Sequence, residues 1–264
     1  MKKKKLLLGL ATFALTSLAL TGCDNGQVGT NPTEETYNVR VGVHKNFGSA
    51  IGVLAQTQGY YAEENVVANI QTTTGPLVIQ GLQTNTLDIG FLGNGVSWNY
   101  FTKDSDIKLV AIDNLTNDDR LIARGGGKGD GLTEESTNEE LRNALKGASV
   151  AVDLGATPGT FLKNLVTKLN EGLNDEDSIW FRDSANNANF PELDTYTKAN
   201  EITIVQTSNA NITAAMSSGA QSPDFCVCFA PVWGELIDDT TNEFVQVATT
   251  VGRGLPVTPS NWAV

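Results

Sequence analysis

Apolar and polar positions along this chain fall into short blocks that switch between two periods. Val39–Val43 alternates with period 2, the pattern of a half-buried strand. Ala50–Gln58 carries Ile51, Val53, Leu54 and Ala55, and Gly59 follows as a helix stop. Val66–Ile70 predicts a short strand, and Pro76–Gln83 places Val78 and Leu82 on one helical face. Leu87–Leu92 and Ile107–Ile112 predict apolar strands, with a short helix at Val96–Phe101 between them. Thr137 and Glu140 make a capping box before Leu141, Ala144 and Leu145. Ser149–Val152 predicts a strand, and Phe161, Leu162, Leu165, Val166 and Leu169 form one helical stripe. Ile202–Val205 predicts a strand, and Asn209 a cap for a helix carrying Ile212, Ala215 and Met216, stopped by Gly219. Phe225–Ala230 predicts a buried strand, Pro231 the start of another helix and Phe244–Ala248 a last strand. Repeated βα units of this kind predict an α/β fold with largely parallel sheets.

The two ends of this pattern differ from its middle. Lys2–Lys5 precede an apolar run from Leu6 to Leu20. That run is shorter than the roughly 20 residues of a membrane span, so it predicts an export signal. It closes in Leu20-Thr21-Gly22-Cys23, which resembles a bacterial lipobox and implies cleavage before Cys23 and lipidation of its thiol. Residues 24–36 hold a single apolar residue and predict a flexible tether. Inside the chain, Gly125–Gly131 holds five glycines in no phosphate-binding spacing, and is expected to be a flexible surface loop. Residues 170–200 are polar and longer than an ordinary αβ connection, which suits a surface excursion or part of a lid.

Composition narrows the function. The 264 residues carry a net charge of −12, with 40% apolar and 18% charged residues. That is enough for a real core of one large domain or two lobes. The acidic balance argues against nucleic-acid binding, which needs clustered Lys and Arg. Removal of the signal would take away four lysines and leave a still more acidic protein. Cys226 and Cys228 lie two apart, on one face of the predicted strand, and are expected to be core residues. No metal-ligand spacing and no cofactor motif is present. His44 is the sole histidine, and no nucleophile elbow accompanies it, so no catalytic set is assigned. It reads either as a surface or capping residue or as a ligand contact. The pairs Asp118-Asp119 and Asp238-Asp239 are expected to be solvated.

Binding is better supported. Gly75-Pro76, Thr157-Pro158 and Ala230-Pro231 each place Pro at a predicted first helical position. The amides of such helix starts attract anions and carbonyl oxygens, and in open α/β sheets they line the crevice at the strands' carboxyl edge. Thr157, Thr160, Ser49 and Ser97 add hydroxyls there. Trp98 and Trp233 stand just after strand ends, as core residues or as aromatic walls. A weak internal echo supports two similar lobes: helix, turn, Asp, apolar strand and Trp recur at Leu82–Trp98 and at Met216–Trp233.

With these features in place, the chain resembles the solute-binding lipoproteins of ABC importers, in the branch for sulfonates, nitrate, taurine and pyrimidine thiamine precursors. The likeness is carried by Val39–Val43 with Leu54–Glu64, where Asn65 stands in place of the usual Gly, and by Gly75–Leu82 with Asp88-Ile-Gly90. It continues through Leu141–Lys146 with Gly147 and Val150–Val152, Gly155–Thr160, and Ala214–Gly219 with Asp224 and Pro231. The resemblance implies a two-lobed periplasmic-binding-protein fold with mixed, mainly parallel sheets and a two-strand hinge. It implies a signal peptide at 1–22, a lipidated tether at 23–36, one lobe at 37–121 plus 249–264, and a second at 122–248. Asp119–Arg124 would be the first crossing and Pro256–Val264 the return strand. Relatives usually continue with further helices, so the first lobe is expected to be short of a closing segment, from truncation or a split gene.

The implied function is capture of a small polar or anionic solute by a monomer anchored outside the membrane, and its delivery to an ABC permease without a cofactor. Asn46, Ser49, Gly75, Asn94, Gly95, Ser97, Thr157, Gly159 and Thr160 are expected to contact the ligand, with Trp98 and Trp233 as walls. The rival reading is a pyrimidine-precursor binding protein or a synthase-like enzyme of the same fold.

Overall fold

The computed structural model describes residues 35–44, 48–101, 106–182 and 198–264. All but Glu35 of these belong to one compact unit, Thr36–Val264. The expected signal, Cys23 and nearly all of the tether lie outside the described residues, as do Asn46 and about half of the 170–200 stretch. No helix among the described residues is long and apolar enough to cross a membrane.

The first lobe runs β1 (Tyr37–His44), α1 (Ala50–Gln58), α2 (Tyr60–Glu63), β2 (Val66–Thr73), α3 (Gly75–Gln83), β3 (Ile89–Gly93), α4 (Asn94–Phe101) and β4 (Leu109–Thr116). The chain then passes into the second lobe as β5 (Arg120–Ala123), α5 (Asn138–Leu145), β6 (Ser149–Val152), α6 (Thr157–Leu169), β7 (Trp180–Phe181) and β8 (Glu201–Gln206). It continues as α7 (Ile212–Met216), β9 (Phe225–Cys228), α8 (Val232–Ile237) and β10 (Val245–Thr249), and returns to the first lobe as β11 (Thr258–Ala263). The strand orders are β2-β1-β3-β11-β4 and β10-β5-β9-β6-β8-β7.

The βα units pair in parallel, as their pattern predicts: β1 with β2 and β3, and β6 with β8 and β9. The strand that follows each crossing runs the other way. β11 is antiparallel to β3 and β4, and β5 is antiparallel to β9 and β10. The sheets are therefore mixed, because a chain that leaves a lobe and returns to it must enter from the opposite end. The expected crossing Asp119–Arg124 shifts: Arg120–Ala123 already pair with β9, so residues 117–119 and 250–257 link the sheets.

Several local expectations hold in detail. Gly59 ends α1 with φ of 83°, its amide donating to Ala55 and Gln56 carbonyls. The Thr137–Glu140 capping box is complete in both directions. Asn65 adopts φ of 56°, a left-handed conformation that Asn tolerates better than most residues. Others need correction. Asn209 does not cap α7; its Oδ1 accepts from the Phe229 amide at 3.1 Å, and a 3-10 turn precedes the helix. Pro231 is the N-cap of α8 rather than its first residue. The glycine-rich stretch is packed rather than loose: a Cβ on Gly129 would meet Ala123 and Phe225 at 2.6 Å, and Lys128 Nζ donates to the Lys146 carbonyl at 2.6 Å.

Burial explains the sequence of the central strand β9. Phe225 and Val227 enter a large core with Leu141, Leu162, Leu165 and Val150. Cys226 and Cys228 face the other side, with Ile122, Ala151, Ile212 and Met216, and both are free thiols. A strand covered on both faces needs a continuous apolar run. The first lobe packs Val78, Leu82, Leu87 and Leu92 on one face of its sheet. Its other face carries Val41, Val43 and Ala68 beside Tyr61 and Trp262.

Candidate ligand-binding site

Parallel strands bring their carboxyl ends, and the helices that follow, to one edge of a sheet. In the first lobe β1 ends at His44 and β3 at Gly93. α3 starts at Gly75 and α4 at Asn94. In the second lobe the turn after β6 leads into α6 at Thr157. These edges meet. A methyl group on Gly95 would come within 2.6 Å of the Ala156 carbonyl oxygen and 2.8 Å of Thr160 Oγ1, and one on Gly93 within 2.8 Å of the Thr157 methyl. Only residues without a Cβ allow the two backbones this approach. Asn94, Gly95, Thr157 and Thr160 are thus brought together, as the sequence suggests.

The helix starts lack side-chain caps. Thr74 precedes α3 in extended conformation and Ala156 precedes α6, and neither side chain bonds the first amides. Their partial positive charge is therefore not offset by a capping side chain. Gly159 has a structural task, since its amide donates to the Asp153 and Ala156 carbonyls and a Cβ would strike Leu154. Ser49 and Ser97 are buried. Ser49 Oγ donates to the His44 carbonyl, and Ser97 Oγ to the Gly93 carbonyl at 3.2 Å. Those protons are used internally. Trp98 lies in α4.

Trp233 is half-buried and held on three sides. Its Nε1 donates to Asp118 Oδ1 at 3.1 Å, the Arg120 guanidinium lies 5.3 Å over its ring, and it packs on the Ile212–Met216 side of the core. Asp118 also accepts from the Ala230 amide at 2.8 Å. Asp119 is only 4% exposed and accepts from Thr157 Oγ1 at 3.2 Å. The expectation that this pair is solvated is therefore wrong. Both side chains are drawn into the junction by the crossing that carries them. Burial pushes the Asp119 carboxyl up to about 7. The Thr157 hydroxyl pulls it back down, Asp118 adds to the rise and Arg120 opposes it.

His44 is the other group that residue types alone left open. Its Nε2 is enclosed and has no hydrogen-bond partner among the described residues, and its ring meets Phe91 edge-on at 5.4 Å. A Cβ on Gly75 would lie 3.3 Å from that nitrogen, which places it at the start of α3. Burial lowers its pKa to about 4, so the ring is neutral at pH 7. Among the described residues no three His, Cys, Asp or Glu side chains gather as a metal set. Two surface depressions lie in the second lobe, one of about 300 Å³ lined by Leu154, Arg182 and Gln206 and one of about 70 Å³ near Gly129.

No known family profile matches the sequence. The chain is 31% identical over 153 residues to proteins of Brucella abortus and Brucella suis that carry only the provisional name of binding protein. The match covers 54% of this chain and 46% of theirs, so the chain spans about half the length of these curated relatives. Among solved structures, it is similar to the alkanesulfonate-binding protein of Xanthomonas axonopodis pv. citri bound to MOPS, at 19% identity and a TM-score of 0.59. It is also similar to the periplasmic aliphatic sulphonate binding protein of Escherichia coli, at 15% identity and a TM-score of 0.60. Each comparison covers 87% of this chain and 65% of the other. A Candida albicans protein described as having the generic periplasmic binding protein fold matches at 14% identity and a TM-score of 0.53, over 86% of this chain and 63% of its own. Likeness at these identities establishes architecture, and this chain has the two-lobed periplasmic-binding-protein fold.

Proposed function

We propose that this chain is the solute-binding component of an ABC importer and captures a small polar or anionic solute between its lobes. One observation carries the reading: the starts of α4 and α6 meet across the two lobes, beside the start of α3 and the unpartnered Nε2 of His44. Helix starts without side-chain caps favour an anionic group, and neutral His44 adds a hydrogen bond without adding charge. The strands' carboxyl edges are where open α/β sheets place ligands. The sulfonate-binding neighbours support the same solute class. The proposed site residues are Ser49, Gly75, Asn94, Gly95, Ser97, Thr157, Gly159 and Thr160, with Trp98 and Trp233 as walls; Asn46 is proposed from the sequence alone. The role is binding and not catalysis. The protein acts as a monomer outside the membrane, held there by lipid on Cys23 and partnered by a permease. Lobe 1 comprises 37–116 with 258–264 and lobe 2 comprises 120–249, so the crossings at 117–119 and 250–257 replace the expected boundaries after 121 and before 249.

Titration calorimetry against alkanesulfonates, taurine, nitrate and pyrimidines tests the reading. Micromolar or tighter binding of one class is expected. Binding of none would refute it.

A further inference from the structure

We propose that both crossings move as parts of lobe 2, fastened there by Asp118, Asp119, Glu134 and Arg253. The lobes then bend only where the crossings meet lobe 1, at Asn117 and at Pro256–Val257. The two crossings begin and end side by side: Thr116 pairs with Thr258 in the first lobe, and Arg120 with Thr249 in the second. They span one gap, although one has three residues and the other eight. Three residues bridge at most about 14 Å between their anchors, whereas eight could bridge about 30 Å. The surplus of the return crossing has to fold up somewhere, and it folds onto lobe 2.

The folded part is a bonded turn. The Arg253 amide donates to the Thr249 carbonyl at 3.2 Å, that of Gly254 to Val251 at 3.0 Å and that of Leu255 to Thr250 at 2.8 Å. Leu255 then enters the large core of lobe 2. Two side chains tie this turn to the segment before α5. Glu134 accepts from Thr249 Oγ1 on one carboxylate oxygen and from Gln246 Nε2 on the other. Arg253 donates NH1 to the Ser136 carbonyl and Asn138 Oδ1, and NH2 to the Glu134 and Val247 carbonyls. The first crossing is held in the same way. Asp118 accepts from the Ala230 amide and Trp233 Nε1, and Asp119 from Thr157 Oγ1. Arg120 also donates to the Asn117 carbonyl, so this crossing turns on the N-terminal side of that group. All these partners belong to lobe 2. Asn117, Pro256 and Val257 are exposed and lie between these bonds and the paired ends of β4 and β11. A hinge is a few such residues that absorb the change in torsion. Lobe 1, with the starts of α3 and α4, swings against a fixed frame of α6, Trp233 and both crossings.

The test is pulsed dipolar spectroscopy on spin-labelled pairs at exposed positions. Val251→Cys labels the return crossing, Ile237→Cys lobe 2 and Ile112→Cys lobe 1. Cys226 and Cys228 are fully buried, beyond the label's reach. The measurement needs no solute, so its outcome is separate from the solute-binding reading. The distance distribution between labels at Val251 and Ile112 is expected to be at least twice as wide as that between Val251 and Ile237. Arg253→Gln is expected to widen the Val251–Ile237 distribution to match. Equal widths in the protein with Arg253 intact overturn the proposal, whether or not the variant folds. So does an unchanged Val251–Ile237 width in a folded Arg253→Gln variant.

Discussion

Asp88 and Asp224 occupy matching places, just before β3 and β9, and do matching work. Each carboxylate accepts the backbone amide of the neighbouring parallel strand, Arg40 of β1 or Ser149 of β6, and so sets where the two strands begin. This is the physical content of the weak internal echo in the sequence. The two differ in worth. Asp88 and Arg40 are about 40% exposed, so water competes for their ion pair, whereas Asp224 is half-buried and also holds the glycine-rich turn. Asp224→Ala is expected to cost about 2 kcal/mol in urea unfolding, and Asp88→Ala under about 1 kcal/mol. Asp119 and His44 set the pH response. Asp119 titrates near 7 when folded and near 3.8 when unfolded, so the native state holds the extra proton between those values. Its stability contribution therefore falls as pH rises from about 4 to about 7. His44 works in the opposite sense. Its folded pKa is lowered from 6.5 to about 4, so stability is lost as pH falls through that window. Urea melts from pH 4 to 8 should show Asp119→Asn gaining on wild type as pH rises, by at most about 4 kcal/mol. His44→Asn should instead gain as pH falls.

At the level of elements, the α4–α6 contact is the feature on which binding depends. It was legible only in part. The two helix starts were visible from Pro158 and from the apolar strands before them, but their meeting depends on Gly93 and Gly95, whose role is to be absent as side chains. Gly95→Ala puts a methyl 2.6 Å from a backbone carbonyl that cannot move aside cheaply. It should hold the lobes apart, weaken solute binding about tenfold or more, and leave each lobe's core unchanged. Calorimetry with a thermal melt separates these effects: a large drop in melting temperature would show instead that Gly95 serves folding. The buried strands and α6 read correctly because their signal is local. The mistaken elements, the Asn209 cap and the loose glycine turn, are those whose side chains bond to residues 18–20 positions away or farther.

For the whole molecule, two crossings, 117–119 and 250–257, are the covalent links between the described sheets. Two adjacent linkers suit a hinge, since bending both changes the angle between lobes without breaking either core. Solution scattering should therefore show a smaller radius of gyration when the solute bound in calorimetry is added to saturation; an unchanged radius would count against hinge closure. The sequence by itself determined what short-range chemistry controls: helix and strand periods, the capping box, the doubly buried β9, and the α/β class that their alternation implies. The tertiary structure alone decided which polar groups face each other across the lobes. Asp118 and Asp119 look like surface charges because neighbouring acids usually are solvated. Asp119 is buried and Asp118 half-buried because the crossing carries them under Thr157 and Trp233, residues 38 and 115 positions away. Sequence spacing holds no information about such distances, since burial and its electrostatic cost depend on what the fold brings near.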